Sequence, residues 1–276
     1  AIQWTHATTA VESTKFIETR YDLSKIGTIT ASGVSGTLIA ISTADDLHNL
    51  ATLVNNGQSM RGKTFIMTND IDLSSYSNWT SIGRSDKVFS GNFDGCGYTI
   101  SNLTQLVDES AEGQYNIGLF GVTGSNANIK NIVLDNFYID AHSTINPSQT
   151  VVRAGALVGR GSETNISGIE VKNLNISGSG NVELAGIIAR SDGATTISNC
   201  KTSGLITVET GRVANPYAAG IIAYTHTWNY AHPNVISMCS SDITIKSNVA
   251  DSADIIMAGG IVSMAGNKID IKDCKY

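Results

Sequence analysis

One small-residue apolar box recurs along this chain and constrains its fold more than any other feature. It reads Ile117-Gly118-Leu119-Phe120-Gly121, then Gly155-Ala156-Leu157-Val158-Gly159. It returns as Ala185-Gly186-Ile187-Ile188-Ala189, as Ala219-Gly220-Ile221-Ile222-Ala223 and as Gly259-Gly260-Ile261-Val262-Ser263, at intervals of 38, 30, 34 and 40 residues. A second unit follows each box as Ile-x-x-(Ile or Cys): Ile129 with Ile132, Ile166 with Ile169, Ile197 with Cys200, Ile236 with Cys239, and Ile271 with Cys274. Ile100 with Leu103 reads as an earlier member. A third unit comes next, as Phe137/Ile139, Leu174/Ile176, Leu205/Val208 and Ile243/Ile245. Self-similarity at a period of this size is the mark of a repeat architecture. Each stretch is short, rich in Ile and Val, and bounded by Gly, Asn, Ser and Asp, which are strand and turn signals. Three strands per repeat predict an all-β, three-sided parallel β-helix. No single coil buries its inner face, but stacking at about 4.8 Å closes a continuous core.

Composition agrees. Only 15% of the 276 residues are charged and 27 are Gly; an average globular chain carries about 25% charge. Surface helices need Glu, Lys and Arg on their wet faces, so a mainly helical protein is excluded. The net charge, 18 − 24 = −6, leaves no basic field for a nucleic acid. No apolar run reaches the length of a membrane span, and Ala1 to Ala10 lack the apolar core of a signal peptide.

Gly or Ala in the box permits close backbone approach. Cys200, Cys239 and Cys274 fall in one inward ladder below Ile132 and Ile169, where a thiol acts as a small hydrophobe. The one strong helix signal is Thr43 to Asn56. Thr43 and Asp46 resemble a capping box, Leu47, Leu50, Leu53 and Val54 share a face, and Asn56-Gly57 is a stop. This amphipathic helix is placed to cap the N-terminal end of the solenoid. Residues 1–37 stand outside the repeats as an arm, a strand pair or the remnant of another domain; residues 38–276 form the solenoid. The chain stops just past Cys274, so the expectation is that further chain or a partner covers the last coil edge.

Ile41-Ser42-Thr43-Ala44-Asp45-Asp46-Leu47, Gly62-Lys63-Thr64-Phe65, Asp70-Ile71-Asp72-Leu73, Trp79-Thr80-Ser81-Ile82-Gly83 and the run from Phe89 to Leu103 resemble the opening segment of bacterial GLUG-repeat surface proteins. Gly118-Leu119-Phe120-Gly121 matches the repeat signature. The resemblance is strong over about residues 38–140 and thins to box and spacing thereafter. It implies a right-handed parallel β-helix, secreted or anchored at a bacterial cell surface, adhesin-like, with glycans or host surface proteins as partners. Related modules accompany IgA-cleaving metallopeptidases, but no His-Glu pair occurs in this chain, so that activity does not transfer. Cys96 stands where the family pattern usually has Asn.

The candidate binding site is the aromatic loop holding Tyr224, His226, Trp228, Asn229, Tyr230 and His232. It lies between a box and the following Ile-x-x-Cys unit, where solenoid corners carry function. Aromatic faces stack on sugar rings, and Asn and His serve hydroxyls. The bland alternative folds Trp228 and Tyr230 back as a satellite core. His226 and His232 lack an identified third metal ligand, and Asp251 and Asp254 read as a solvated loop pair. Asp70, Asp72 and Asp94 read as turn acids. No nucleophile elbow, P-loop or dinucleotide fingerprint occurs, so no catalytic residue, metal or cofactor is assigned. A noncatalytic ligand-display stalk is the first expectation. A polysaccharide lyase or depolymerase, or a phage or virus fibre domain, is the alternative. An enzyme would require three or more charged side chains converging in one groove with shifted pKa values.

Overall fold

The computed structural model describes residues 21–107, 114–142, 150–209, 216–226, 233–248, 256–266 and 268–276. Most of these are strand. The chain visits three sheets in a fixed order. One repeat shows the path: Asn165–Ser179 in a fifteen-stranded sheet, Val182–Ala185 in a second sheet, Ile188–Asp192 in a third, then Thr196–Ser198 back in the first. The second and third sheets have five strands each, and every neighbour within them pairs in parallel.

Register turns the sequence repeats into ladders. Ile39, Phe65, Phe93, Ile129, Ile166, Ile197, Ile236 and Ile271 pair in succession. The first seven are at most 1% exposed, and Ile271 is 47% exposed. Full burial of such a side chain contributes about 1.5–3 kcal/mol. Ile100 belongs to a different row. It pairs with Leu134, while Phe93 takes the place beside Ile129. The Gly95-Cys96-Gly97 turn separates the two rows, and a count of apolar residues does not reveal it. The third unit also differs from expectation in one repeat. Ile206, not Val208, continues the Ile139–Ile176 row, and Gly204, not Leu205, stands beside Leu174, because a bulge between Val171 and Leu174 drops one residue.

In the box, Phe120, Val158, Ile188, Ile222 and Val262 pair as the spacing predicts. The strand before the first box sits one residue off, with Ile117 against Ala154. Close approach explains the glycines. A Cβ on Gly118 would meet the Gly155 carbonyl oxygen, and one on Gly186 the Gly220 carbonyl oxygen, both deep inside contact distance. Corners of the large sheet use the left-handed region instead. Asn102, Asn136 and Asn173 have φ of 59°, 56° and 51°. Asn136 donates to Asn102 (2.7 Å) and Asn102 to Asp72 (2.9 Å). Asn tolerates this conformation, and stacked corners let its amide bond the repeat above. Between the large and second sheets the connection is only Gly180 and Asn181 in one repeat, with Gly180 at φ 80°.

Helix α1 (Ala44–Asn55) follows its sequence signals. Thr43 is the N-cap, with a full capping box to Asp46. Leu47, Leu50, Ala51, Leu53 and Val54 are buried. Its polar edge is also tied down: Asn55 bonds Ser81 O and Gly83 N, and Tyr76 donates to Asp45 at 2.7 Å. Burial, then Asp45, push the Tyr76 hydroxyl up to about 12. Ahead of the expected first repeat, Ile26–Gly27 pairs in parallel with Leu38–Ile41, and Ile29–Thr30 forms an antiparallel pair with Gly33–Val34.

Cys96, Cys200 and Cys239 are buried and Cys274 is half-buried; all are free thiols. The last three follow paired residues one repeat apart. Each donates to the carbonyl two residues before it, at 3.3 Å. Burial drives Cys200 well up, whereas interaction with the neighbouring Cys200 thiol pulls Cys239 down.

Candidate functional site

Two parallel rows meet across the box. One, on the second sheet, runs Asn116, Arg153, Glu183, Tyr217, Met257. The other, on the third sheet, runs Val122, Arg160, Arg190, Tyr224, Met264. Both rows are charged at their second and third positions and carry tyrosine at their fourth. In-register stacking therefore places residues some 30 to 60 apart in sequence side by side.

The charged half is one ion network. Arg153 Nε meets Glu183 Oε2 at 3.1 Å, and Arg190 meets Glu183 Oε1 at 2.9 Å. Asp192 joins Arg190 (2.8 Å) to Arg160 (2.5 Å). Exposure rises outward: side chains of Arg153 and Glu183 are 6% and 5% exposed, Arg190 21% and Arg160 35%. Burial raises the Glu183 carboxyl despite its two guanidinium partners. Burial would also raise Asp192, but Arg190 and then Arg160 outweigh it and hold it low. Burial lowers Arg153.

The aromatic half adjoins it. The Arg190 guanidinium carbon lies 4.6 Å from the Tyr224 ring centre, within cation–π range. Tyr217 lies 5.3 Å from Tyr224, tilted by 58°, and His226 stacks at 6.5 Å and 12°. Burial, then Tyr224, raise the Tyr217 hydroxyl. Tyr224 is half-buried, with Arg190 on the strand to one side of it and Met264 on the strand to the other.

The structure thus places Tyr224 and His226 together on the strand Ile222–His226. Trp228, Asn229, Tyr230 and His232 lie outside the described residues, as do Asp251 and Asp254. The turn acids are where sequence put them. Asp70 accepts from Thr99 N, Asp72 from Ser74 N, and Asp94 from Cys96 N. Buried Asp94 also accepts from Tyr21 and Asn131. The ion network is what sequence reasoning missed. Arg153, Arg160, Glu183, Arg190 and Asp192 converge, though the sequence alone singled out none of them. A signal existed: Arg at box position −2 in one repeat and Glu at the same place in the next, visible only once the boxes are aligned. Among the described residues, no group of three or more His, Cys, Asp or Glu side chains is arranged to hold a metal ion, and no helix is long and apolar enough to cross a membrane.

No family model matches the chain. Over 156 residues it is 29% identical to Halomucin of Haloquadratum walsbyi, covering 52% of this chain and 2% of that protein. Over 124 residues it is 35% identical to a "Putative Gly-rich membrane protein" of Evansella cellulosilytica, covering 43% of this chain and 12% of that one. The chain therefore spans a small part of the curated relatives it matches. A solved "putative immunoglobulin A1 protease" from Bacteroides ovatus aligns over 85% of this chain and 74% of its own, at 17% identity and a TM-score of 0.47.

Proposed function

We propose that the chain is a GLUG-type, right-handed parallel β-solenoid capped by α1. It is secreted or displayed at a bacterial cell surface, and it binds glycans without catalysis. The supporting observation is the Tyr217–Tyr224 pair, fixed by Arg190 and stacked beside His226. A half-buried aromatic side chain held by its neighbours is a low-entropy contact surface for a sugar. The continuous in-register ladders supply a rigid stalk beneath it. The relatives' names, Halomucin and a membrane protein, point the same way on location. A glycan array probed with wild type, Tyr224→Ala and Tyr217→Ala tests it. A specific signal lost in Tyr224→Ala supports the face as the site; a signal unchanged in both variants rejects it. Trp228→Ala and Tyr230→Ala test the rest of the loop in the same assay.

A carbohydrate-active enzyme is the second reading. It is favoured by one observation: Glu183 raised and Asp192 lowered in one cluster, a divergence typical of acid–base pairs. Against it, Glu183 is 3% exposed and bonded to two guanidinium groups. Release of reducing ends from a polysaccharide panel, abolished by Glu183→Gln, would replace the binding reading with this one.

A further inference from the structure

We propose that the Tyr224 face selects an acidic saccharide, and that Arg160 recognises its carboxylate or sulfate group. The inference rests on the glycan-binding reading and specifies its ligand class.

Three features of the network carry it. First, its five charged side chains comprise three arginines and two acids, 3 − 2 = +1, in a chain whose net charge is −6. A half-buried excess cation favours an anionic guest, since low dielectric strengthens the attraction. Second, the five are not equivalent. Arg190 is the more fully engaged: Nε on Asp192, one terminal nitrogen on Glu183, and its guanidinium carbon 4.6 Å from the Tyr224 ring centre. Arg160 is held through Nε alone, and its two terminal nitrogens meet no acceptor among the described residues. At 35% it is also the most exposed member. A partly exposed guanidinium held at Nε keeps its two terminal nitrogens for a carboxylate or sulfate, which such a fork binds through two parallel hydrogen bonds. Third, Arg160, Arg190 and Tyr224 occupy successive strands of one row. At about 4.8 Å per strand, Arg160 lies roughly 10 Å along the row from Tyr224. A linear glycan lying along the stack, with one ring on Tyr224, brings a neighbouring sugar's acid group to Arg160.

The test measures binding at constant salt to three probes: oligogalacturonate, dextran sulfate and unmodified dextran oligomers. The proteins are wild type, Arg160→Gln, Arg160→Lys and Tyr224→Ala. Wild type is expected to bind at least one acidic probe about tenfold or more tighter than dextran, the range of charge-assisted hydrogen bonds. Which probe wins separates carboxylate from sulfate. Arg160→Gln loses that preference, its affinity for the acidic probe falling toward that for dextran. Arg160→Lys keeps the charge but not the fork, and retains part of it. Tyr224→Ala weakens all binding. Equal affinity for acidic and neutral probes in wild type, or an undiminished preference in Arg160→Gln, overturns the inference and leaves the glycan-binding reading standing. Failure of wild type to bind any probe overturns both.

Discussion

Removing Glu183 while leaving Arg153 in place should be one of the most damaging single changes available in the second sheet. The Arg153 and Glu183 side chains are 6% and 5% exposed and meet at 3.1 Å, and Glu183 also receives Arg190. Glu183→Leu therefore leaves a buried guanidinium without its carboxylate. Breaking a buried pair from one side costs about 3–5 kcal/mol, whereas replacing both partners with apolar groups is often neutral or better. Arg190 keeps Asp192 at 2.8 Å, so the loss centres on Arg153. The expected order is Glu183→Leu well below wild type, Arg153→Met also below, and the double variant Arg153→Met/Glu183→Leu above both. At roughly 2–4 °C per kcal/mol for a chain of this size, Glu183→Leu lowers the melting temperature by about 10 °C. Urea unfolding followed by circular dichroism, run as a double-mutant cycle, measures the coupling. Its expected size is at least about 2 kcal/mol. Additive single effects, or a Glu183→Leu variant within about 1 kcal/mol of wild type, would refute the buried-pair reasoning.

Thr225 is fully buried, and its hydroxyl has no hydrogen-bond partner among the described residues. Thr225→Val keeps the shape and strand preference and is expected to raise stability by about 1 kcal/mol in the same urea assay; a less stable variant contradicts this. His142 lies between Asp140 and Glu209, with Nε2 3.0 Å from the latter. Burial alone would lower its pKa, but the two carboxylates outweigh it and raise it. The stabilisation is thus complete below the ordinary histidine value of about 6.5 and fades as pH rises through the raised folded value. Melting temperatures scanned upward from about pH 6 should fall more in wild type than in His142→Gln; parallel curves would sink the linkage. A bulky thiol reagent added to native protein should modify half-buried Cys274 first and reach Cys96 and Cys200 only on unfolding. Mass spectrometry of the labelled peptides checks the order.

Much of the ladder system was legible because its period is carried by residues with no alternative use. Ile129, Ile166, Ile197, Ile236 and Ile271 pair as their spacing indicates, since a one-residue slip would expose every inward side chain. Helix α1 was legible for the same local reason, with cap, face and stop all in 14 residues, Thr43 to Asn56. The misplacements of Ile100 and Leu205 occur where a tight turn or a bulge changes the count without changing composition. Arg153 and Glu183 are 30 residues apart, and nothing local to either indicates burial or a partner. Only stacking creates their contact. Tyr224 and His226 were chosen for their loop, yet their neighbours Tyr217, Arg190 and Arg160 come from other strands and other repeats.

The two-residue corner at Gly180-Asn181 has a consequence for how such a chain can change. The equivalent connections elsewhere run from Val107 to 113, 143 to Thr150, 210 to Pro216 and Asn248 to Ile256, yet strands on both sides stay in register. Two residues therefore close this corner, and the additional ones are not needed for stacking. Length at that edge is uncoupled from the ladders, and lengthening a surface loop costs little. Foreign peptide segments grafted between Ser179 and Val182 would ride on an unaltered core, making this edge a natural row of attachment points spaced one strand apart.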